Sequence, residues 1–271
     1  MGKRERIFLP EKIRCLTAGK PYRQDEIGMS GSCVLIYEDR VLKIQQHNAE
    51  AENEYRMMQY LQGRLPVPVV YAYEVTQGQS YLLMSRCAGQ MACSEEYDKN
   101  TGLLSQLLAD SLKRLWSVDI SDCALDQRLS YKLAQAAYRV ENGLVDVDHV
   151  EPDTFGKEGF RDPEALLQWL YDNAPQEEPV LSHGDLCPPN IFGVHNKVSG
   201  YIDLGRAGIA DKWCDIALCY RSLPQNDTGK NSSKCDGQIC GQRDGSMFFR
   251  ELGLQPDWQK IRYYILLDEL F

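Results

Sequence analysis

The segment "LSHGDLCPPNIFGVHNKVSGYIDLGR" (residues 181–206) places carboxylates and an amide among short apolar runs. His183-Gly184-Asp185 is followed by Asn190, five positions after the aspartate, and Asp203 comes thirteen positions later. A carboxylate can orient a substrate hydroxyl and accept its proton, whereas an amide oxygen and a second carboxylate are hard ligands that suit Mg²⁺. The spacing therefore predicts a site that handles a polyphosphate together with Mg²⁺.

Each of these residues alone has a simpler interpretation, because Asp and Asn commonly cap turns. Together, the H-x-D-x-x-x-x-N pattern and the downstream Asp form the catalytic signature of protein-kinase-like enzymes. We therefore interpret Asp185 as a catalytic base, and Asn190 and Asp203 as metal ligands.

An independent sign of the same chemistry lies in the first third of the chain. Lys43 lies inside the apolar run "VLKI", where a charge is costly unless it is paired. In the following predicted helix, Glu54 shares one face with Met57, Met58 and Leu61. The alternative is that Lys43 extends to solvent at a strand end and that Glu54 is solvated. Two opposite charges, each in the element that a kinase site requires, favour an ion pair.

Composition limits the classes of function. The 271 residues are 43% hydrophobic and 25% charged, with a formal net charge of −9. The length suits two unequal lobes, and the acidic balance disfavours nucleic-acid partners and favours cationic small molecules. The sequence contains no run of eighteen apolar residues and no signal-peptide pattern, so we expect a cytoplasmic protein without a membrane partner. No feature indicates an oligomeric state.

The ten cysteines include no C-x-x-C pair. We expect reduced, mostly buried thiols, and neither disulfides nor a zinc site.

Hydrophobic patterning divides the chain into a small β-rich part and a larger helical part. Residues 32–45 predict a hairpin that turns at Glu38-Asp39, residues 80–84 predict another strand, and residues 49–68 predict the one helix of this part. We expect an α+β, bilobal, protein-kinase-like fold. Residues 1–88 would form a small antiparallel sheet with one key helix, and residues 89–271 a larger, mainly helical lobe.

The larger part alternates helices with short strands. Leucines from Leu104 to Leu115 recur at three- and four-residue steps and predict a helix. Further helices are predicted over residues 130–141, from Pro163 onward and at the chain end, and short strands near residues 180–181, 191–192 and 201–202. Residues 224–246 are rich in Gly, Asn, Asp and Ser and predict a long surface loop.

Five segments resemble the aminoglycoside 3'-phosphotransferase family of antibiotic-resistance kinases. They are "GRLPVPVVYAYE" (63–74), "YLLMS" (81–85), "LSHGDLCPPNIF" (181–192), "GYIDLGRAGIADKWCDIALCYRSL" (200–223) and "IRYYILLDELF" (261–271). The resemblance covers nearly the whole chain except the loop at 224–246. It implies transfer of the γ-phosphate of ATP to the 3'-hydroxyl of kanamycin- or neomycin-type antibiotics, which confers resistance.

The resemblance also implies roles for individual residues. Asp185 matches the family's catalytic base, and Asn190 and Asp203 match its Mg²⁺ ligands. Lys43 matches the phosphate-binding lysine, and Glu54 matches the partner of that lysine.

Other nucleotide contacts are implied less directly. Ser85 and Cys87 fall on the hinge, where backbone groups hold adenine, and Asp215 matches an aspartate that steadies the catalytic loop. The loop "GMSGS" (residues 28–32) departs from the glycine-rich loop of protein kinases, and we expect Ser30 and Ser32 to cover the phosphates with backbone N–H groups. Val41 replaces an aromatic residue of some relatives, which leaves GTP as an alternative to ATP.

Aminoglycosides carry several ammonium groups, so their pocket is expected to be acidic. The resemblance assigns Asp268, Glu269 and the carboxylate of Phe271 to substrate binding, where the end of a helix also attracts cations. Arg206 is expected to orient nearby carboxylates by pairing with them. Further candidates precede Pro163, with a solvated acidic loop as the equal alternative; they are Glu151, Asp153 and Glu158.

Two other functions stay open. A kinase of the same fold could act on another hydroxylated molecule, such as a sugar, choline or a macrolide, but carboxylates at the chain end favour a polycationic substrate. A catalytically silent nucleotide-binding scaffold is disfavoured, because all five positions of the kinase set are filled.

Overall fold

The computed structural model describes residues 7–24, 32–148, 150–151, 153–157, 159–223 and 245–271. The predicted loop at 224–246 therefore lies outside the described residues, apart from its last two positions. Ser246 already begins a helix, so the loop prediction extended too far at that end.

A five-stranded antiparallel sheet dominates the first part of the chain. Its strands are β1 Tyr22–Gln24, β2 Cys33–Tyr37, β3 Arg40–Gln46, β4 Val70–Thr76 and β5 Gln79–Ser85. Their order across the sheet is β1-β2-β3-β5-β4. The hairpin predicted at Glu38-Asp39 is confirmed, since these two residues connect β2 to β3 and Leu35 pairs with Leu42 across the turn.

Among the described residues of this part, two helices accompany the sheet, α1 Glu11–Thr17 and α2 Ala49–Leu61. The prediction of a single helix in this part is therefore wrong. The seven residues of α1 are too few to show a helical period, and Ile13 is its only fully buried apolar side chain. The predicted stop of α2 is confirmed, because the helix ends just before Gly63, which has a φ of +77°.

The chain after Ser85 is mainly helical. Its helices are α3 Glu95–Asp98, α4 Thr101–Trp116, α5 Leu129–Glu141, α6 Pro163–Asp172, α7 Lys212–Arg221, α8 Ser246–Leu252 and α9 Trp258–Asp268. Its strands are β6 Gln90–Met91, β7 Pro179–Ser182, β8 Ile191–Val194, β9 Lys197–Tyr201 and β10 Gly208–Asp211. They form a three-stranded sheet, in the order β6-β8-β9, and an antiparallel pair of β7 with β10.

The two faces of the first sheet pack against different cores. Tyr81 and Leu83 of β5 point into a small core with residues of β2, β3 and α1. Leu82 and Met84 point to the other face and join α2 to the large core of the helical part. This alternation follows from the two-residue period of a strand. It places α2 between the sheet and the rest of the chain.

The architecture confirms the α+β prediction of a small antiparallel sheet followed by a larger helical part. The division into lobes at residue 88 stays a prediction. Within the described ranges, none of the helices combines the length and the apolar surface that a membrane span requires.

The eight cysteines in the described part of the chain are all free. Only Cys214 and Cys219 are buried, whereas Cys15 and Cys93 are exposed. The expectation of mostly buried thiols is therefore wrong for this set, because two of the eight are exposed and four are only partly buried.

Candidate active site

Lys43 of β3 lies between two carboxylates. Its Nζ is 2.9 Å from Oε2 of Glu54 in α2 and 2.8 Å from Oδ1 of Asp203, which follows β9. The side chains of Lys43 and Glu54 are 10% and 1% exposed, so the charge inside the strand is paired and not solvated. The structure thus brings together three of the five residues of the predicted kinase set.

Helix α2 is fixed so that Glu54 faces inward. Asn48 caps its first turn, with its side-chain oxygen accepting a hydrogen bond of 2.8 Å from the N–H of Ala51. Asn53 donates hydrogen bonds from its amide to the carbonyls of Gly205 (2.9 Å) and Ala207 (2.8 Å). These bonds hold α2 against the segment that follows Asp203. Sequence reasoning missed Asn53, because an Asn in a predicted helix gives no sign of so distant a partner.

The electrostatics of this triad favour the charged forms of Lys43 and Asp203. Burial alone lowers the pKa of Lys43, but the charges of Glu54 and Asp203 outweigh it and raise that pKa above its ordinary value. Burial would raise the pKa of Asp203, but the nearby ammonium of Lys43 holds it below its usual range. Asp203 is therefore a carboxylate at neutral pH.

Asp215 of α7 shapes the turn that carries Asp185. Its two oxygens accept hydrogen bonds from the backbone N–H groups of His183 (2.7 Å) and Gly184 (2.9 Å). Gly184 has a φ of +80°, and a Cβ at this position would lie 2.0 Å from the carbonyl oxygen of Arg206. Only glycine fits this close approach. The expected contact of Asp215 with the catalytic loop is confirmed by these bonds.

Asp185 and Asn190 lie side by side in this loop. The amide nitrogen of Asn190 donates to the backbone oxygen of Asp185 (2.9 Å) and to its carboxylate Oδ2 (3.1 Å). Burial raises the pKa of Asp185, and the charges of His183 and Arg206 oppose this rise. A raised pKa brings a carboxylate closer to the range in which it accepts protons efficiently.

The remaining oxygens suit a hard cation. Because the nitrogen of the Asn190 amide makes its hydrogen bonds, its oxygen has no donor among the described residues, and neither does Oδ2 of Asp203. No group of three or more His, Cys, Asp or Glu side chains in the described residues forms a complete metal site. Mg²⁺ typically binds one or two protein oxygens together with phosphates and water, so the pair fits it.

The two carboxylates at the end of α9 are paired with arginines. Asp268 lies 3.5 Å from Nη1 of Arg206 and also pairs with Arg221, whose Nη1 is 3.3 Å from Glu269. Burial raises the pKa of Glu269, and a hydrogen bond from the backbone N–H of Glu151 and the charge of Arg221 oppose the rise. The predicted pairing of Arg206 is confirmed. Sequence reasoning missed Arg221 and also Glu50, which lies 3.2 Å from Arg206.

The other sequence-predicted positions are less strongly defined. Ser85 ends β5, and its hydroxyl accepts a hydrogen bond of 2.9 Å from the N–H of Val69. Cys87 follows it beside Gly200, and burial raises the pKa of its thiol to about 12. Asp153 is exposed. Ser30 and Glu158 lie outside the described residues, and Ser32 lies immediately before β2.

A cleft of about 230 Å³ adjoins this arrangement. Gly184, Arg206 and residues of α2, α5 and α9 line it. Lys132 of α5 contributes a buried ammonium whose Nζ is 3.4 Å from Sγ of Cys214. The sequence gives little sign that this lysine is buried, because a lysine in an amphipathic helix normally faces solvent.

An antiparallel sheet that carries a lysine paired with a helical glutamate, above a loop that carries Asp185 and Asn190, defines a kinase-like phosphotransferase site. A family model described as "Phosphotransferase enzyme family" (APH) matches residues 23–262. Two curated relatives are both named aminoglycoside 3'-phosphotransferase. The Enterococcus faecalis protein is 41% identical over 97% of this chain and 96% of its own length, and the Staphylococcus aureus protein is 41% identical over 97% of this chain and 95% of its own length.

Two solved aminoglycoside phosphotransferases have folds similar to that of this chain. The crystal structure of an aminoglycoside-3'-phosphotransferase of type VIII has a TM-score of 0.76 and 26% identity, over 95% of this chain and 97% of that one. A Streptomyces rimosus aminoglycoside phosphotransferase, solved with ADP and streptomycin, has a TM-score of 0.71 and 25% identity over 95% of each chain. The chain belongs to the phosphotransferase enzyme family, among the aminoglycoside 3'-phosphotransferases.

Proposed function

We propose that this protein transfers the γ-phosphate of ATP to the 3'-hydroxyl of an aminoglycoside antibiotic and so confers resistance. The observation that carries the proposal is the joint placement of Lys43, Glu54 and Asp203 in one ion-pair cluster, in which Lys43 and Glu54 are buried, with Asp185 and Asn190 in the adjoining loop. The aminoglycoside 3'-phosphotransferases at 41% identity over nearly the whole chain support the reaction and the class of substrate.

Asp185 would orient the antibiotic hydroxyl and take up its proton as the bond to phosphorus forms. Its burial and raised pKa suit this exchange. Lys43 would hold the phosphates of the nucleotide, with Glu54 keeping the ammonium in place. Phosphoryl transfer passes through a loose transition state, so most of the catalysis comes from positioning and charge.

Asn190 and Asp203 would hold Mg²⁺ through the oxygens that lack donors among the described residues. The ion would supply positive charge to the phosphate oxygens. Because the proposed reaction uses ATP and Mg²⁺, which are both available in the cytoplasm, we propose a cytoplasmic location.

The nucleotide would lie between the sheet and the loop. We propose backbone contacts to adenine near Ser85 and Cys87, and contacts to the phosphates from Ser30 and Ser32. Val41 is a half-buried aliphatic residue of β3, next to Met84 of β5. Because Val41 offers no aromatic ring on which adenine could stack, GTP should be compared with ATP.

The antibiotic would lie against the end of α9. Asp268, Glu269 and Phe271 would bind its ammonium groups, with Arg206 orienting Asp268 through their contact at 3.5 Å. Glu151 and Asp153 would extend this acidic wall, and the hydrogen bond of 3.0 Å from the N–H of Glu151 to Glu269 brings the two segments together.

Turnover should depend on a 3'-hydroxyl. We expect ADP release with ATP, Mg²⁺ and kanamycin or neomycin, and none above background with tobramycin, which lacks that hydroxyl. A coupled assay of ADP release measures both. Equal turnover with tobramycin would contradict 3' transfer, and no turnover with any aminoglycoside would favour another hydroxylated substrate, to be sought among sugars, choline and macrolides.

A further inference from the structure

Arg139 reaches from α5 to the C-terminal segment of the chain. Its Nε donates to the main-chain oxygen of Leu270 at 2.7 Å, and its Nη2 donates to those of Leu144 and Phe271, each at 2.7 Å. One planar guanidinium therefore joins three main-chain oxygens in two separate segments. Only arginine has the fork of donors that such an arrangement needs.

The surroundings of Arg139 combine partial burial with contacts to two segments. It is half-buried, and its side-chain hydrogen bonds in the described residues go to the main-chain oxygens of Leu144 and Leu270 and to an oxygen of the Phe271 carboxylate. Burial lowers its pKa, and the charge of nearby Arg206 lowers it further. A partly desolvated cation near a second cation is costly. Its three hydrogen bonds are made to oxygens just after α5 and just beyond α9.

The ring of Phe271 lies close to two guanidiniums. Its centroid lies 5.8 Å from the guanidinium carbon of Arg139 and 5.4 Å from that of Arg206. Arg206 also pairs with Asp268, three positions earlier in the same segment. Arg139 thus fixes the backbone directly beyond the two carboxylates, while Arg206 and Arg221 fix the carboxylates themselves.

Arg139 also ties this segment to the opposite acidic wall. Leu144, which it contacts, lies just before the connection that carries Glu151 and Asp153. Glu269 makes a second link by accepting a hydrogen bond from the N–H of Glu151. The two acidic segments are therefore held at one fixed separation, which a polycationic ligand would meet as a preformed surface.

We propose that Arg139 is a positioning residue for aminoglycoside binding. It acts by holding the end of α9 in a fixed position relative to the acidic segment that contains Glu151 and Asp153. The inference rests on the proposed function, because it assigns these carboxylates to substrate ammonium groups. Arg139 touches neither ATP nor Asp185 in this role. Its loss should therefore change antibiotic binding and leave the chemical step intact.

Arg139→Met keeps the length of the side chain and removes its donors. We expect KM for kanamycin to rise about tenfold, with kcat and KM for ATP within about twofold, because charge-assisted bonds position the carboxylates but do not touch the reacting atoms. Arg139→Lys should recover part of the affinity, since an ammonium can reach some of the three oxygens. Arg56→Met, which removes an exposed ion pair with Glu52 in α2, is the matched control and should change neither KM.

Amide hydrogen exchange of residues 266–271, with no antibiotic present, gives a readout independent of turnover. Exchange should be faster in Arg139→Met than in the wild type and Arg56→Met. An unchanged KM for kanamycin would overturn the inference, whether or not exchange accelerates. The inference would also be overturned if kcat fell and the KM values for kanamycin and ATP both rose, to similar extents, in Arg139→Met and in Arg139→Lys. Wild-type protein without turnover on any aminoglycoside would overturn the proposed function first, and this inference with it.

Discussion

Asp185→Asn should lower kcat for aminoglycoside phosphorylation by about 10²- to 10⁴-fold, the usual contribution of a positioned general base. The amide has nearly the same shape as the carboxylate and can still face the side chain of Asn190. It cannot accept the proton of the substrate hydroxyl. The loop should keep its form, because Asp215 holds it through the backbone of His183 and Gly184.

Three measurements separate chemistry from folding in this variant. Coupled ADP release gives kcat, thermal unfolding gives stability, and the Kd of ADP gives nucleotide binding. The last two should stay near the wild-type values. Asp172→Asn, at an exposed carboxylate at the end of α6, is the control and should keep full activity. Turnover in Asp185→Asn within about threefold of wild type would remove Asp185 from the role of base.

Lys43→Met should reduce both turnover and stability. Loss of a charge that binds the phosphates should lower kcat/KM for ATP by about 10²-fold. The same change leaves Glu54, whose side chain is 1% exposed, without its cation. Breaking a buried pair in this way typically costs about 3–5 kcal/mol of unfolding free energy, because the remaining carboxylate is buried and must take up a proton.

The double variant Lys43→Met/Glu54→Met separates the two effects. It removes both charges, and with them Oε1 of Glu54, which is buried without a hydrogen-bond partner among the described residues. We expect it to recover most of the lost unfolding free energy, measured by urea denaturation, and none of the lost activity. Recovery of activity together with stability would mean that Lys43 is structural and does not act on the phosphates.

The sequence predicted the kinase-like site because its residues carry strong local signals. Lys43 is a charge in an apolar strand, and Glu54 is a charge on the apolar face of a helix. Asp185, Asn190 and Asp203 follow a spacing from which short turns and strands predict that the three side chains lie close together. For each of these, the element alone indicates where the side chain points.

Most contacts around the end of α9 could not be predicted in the same way. The pairing of Arg206 was expected, but Arg139 and Arg221 come from two separate helices, and their partners at 268–271 lie 47 or more positions away. A charged residue on a helix is normally solvated, so the sequence pattern around it does not reveal a distant partner. Helix α1 was missed for a related reason, because its seven residues are too few to show a helical period.

The site of phosphorylation on the antibiotic tests the account most directly. Kanamycin can be converted with ATP and Mg²⁺, and the product examined by two-dimensional ¹H–³¹P NMR. The account predicts one phosphate ester, with its phosphorus coupled to the proton on C3', and about 10²- to 10⁴-fold slower formation of that product by Asp185→Asn. A phosphate on another hydroxyl, or an unchanged antibiotic in the presence of active nucleotide hydrolysis, would contradict it.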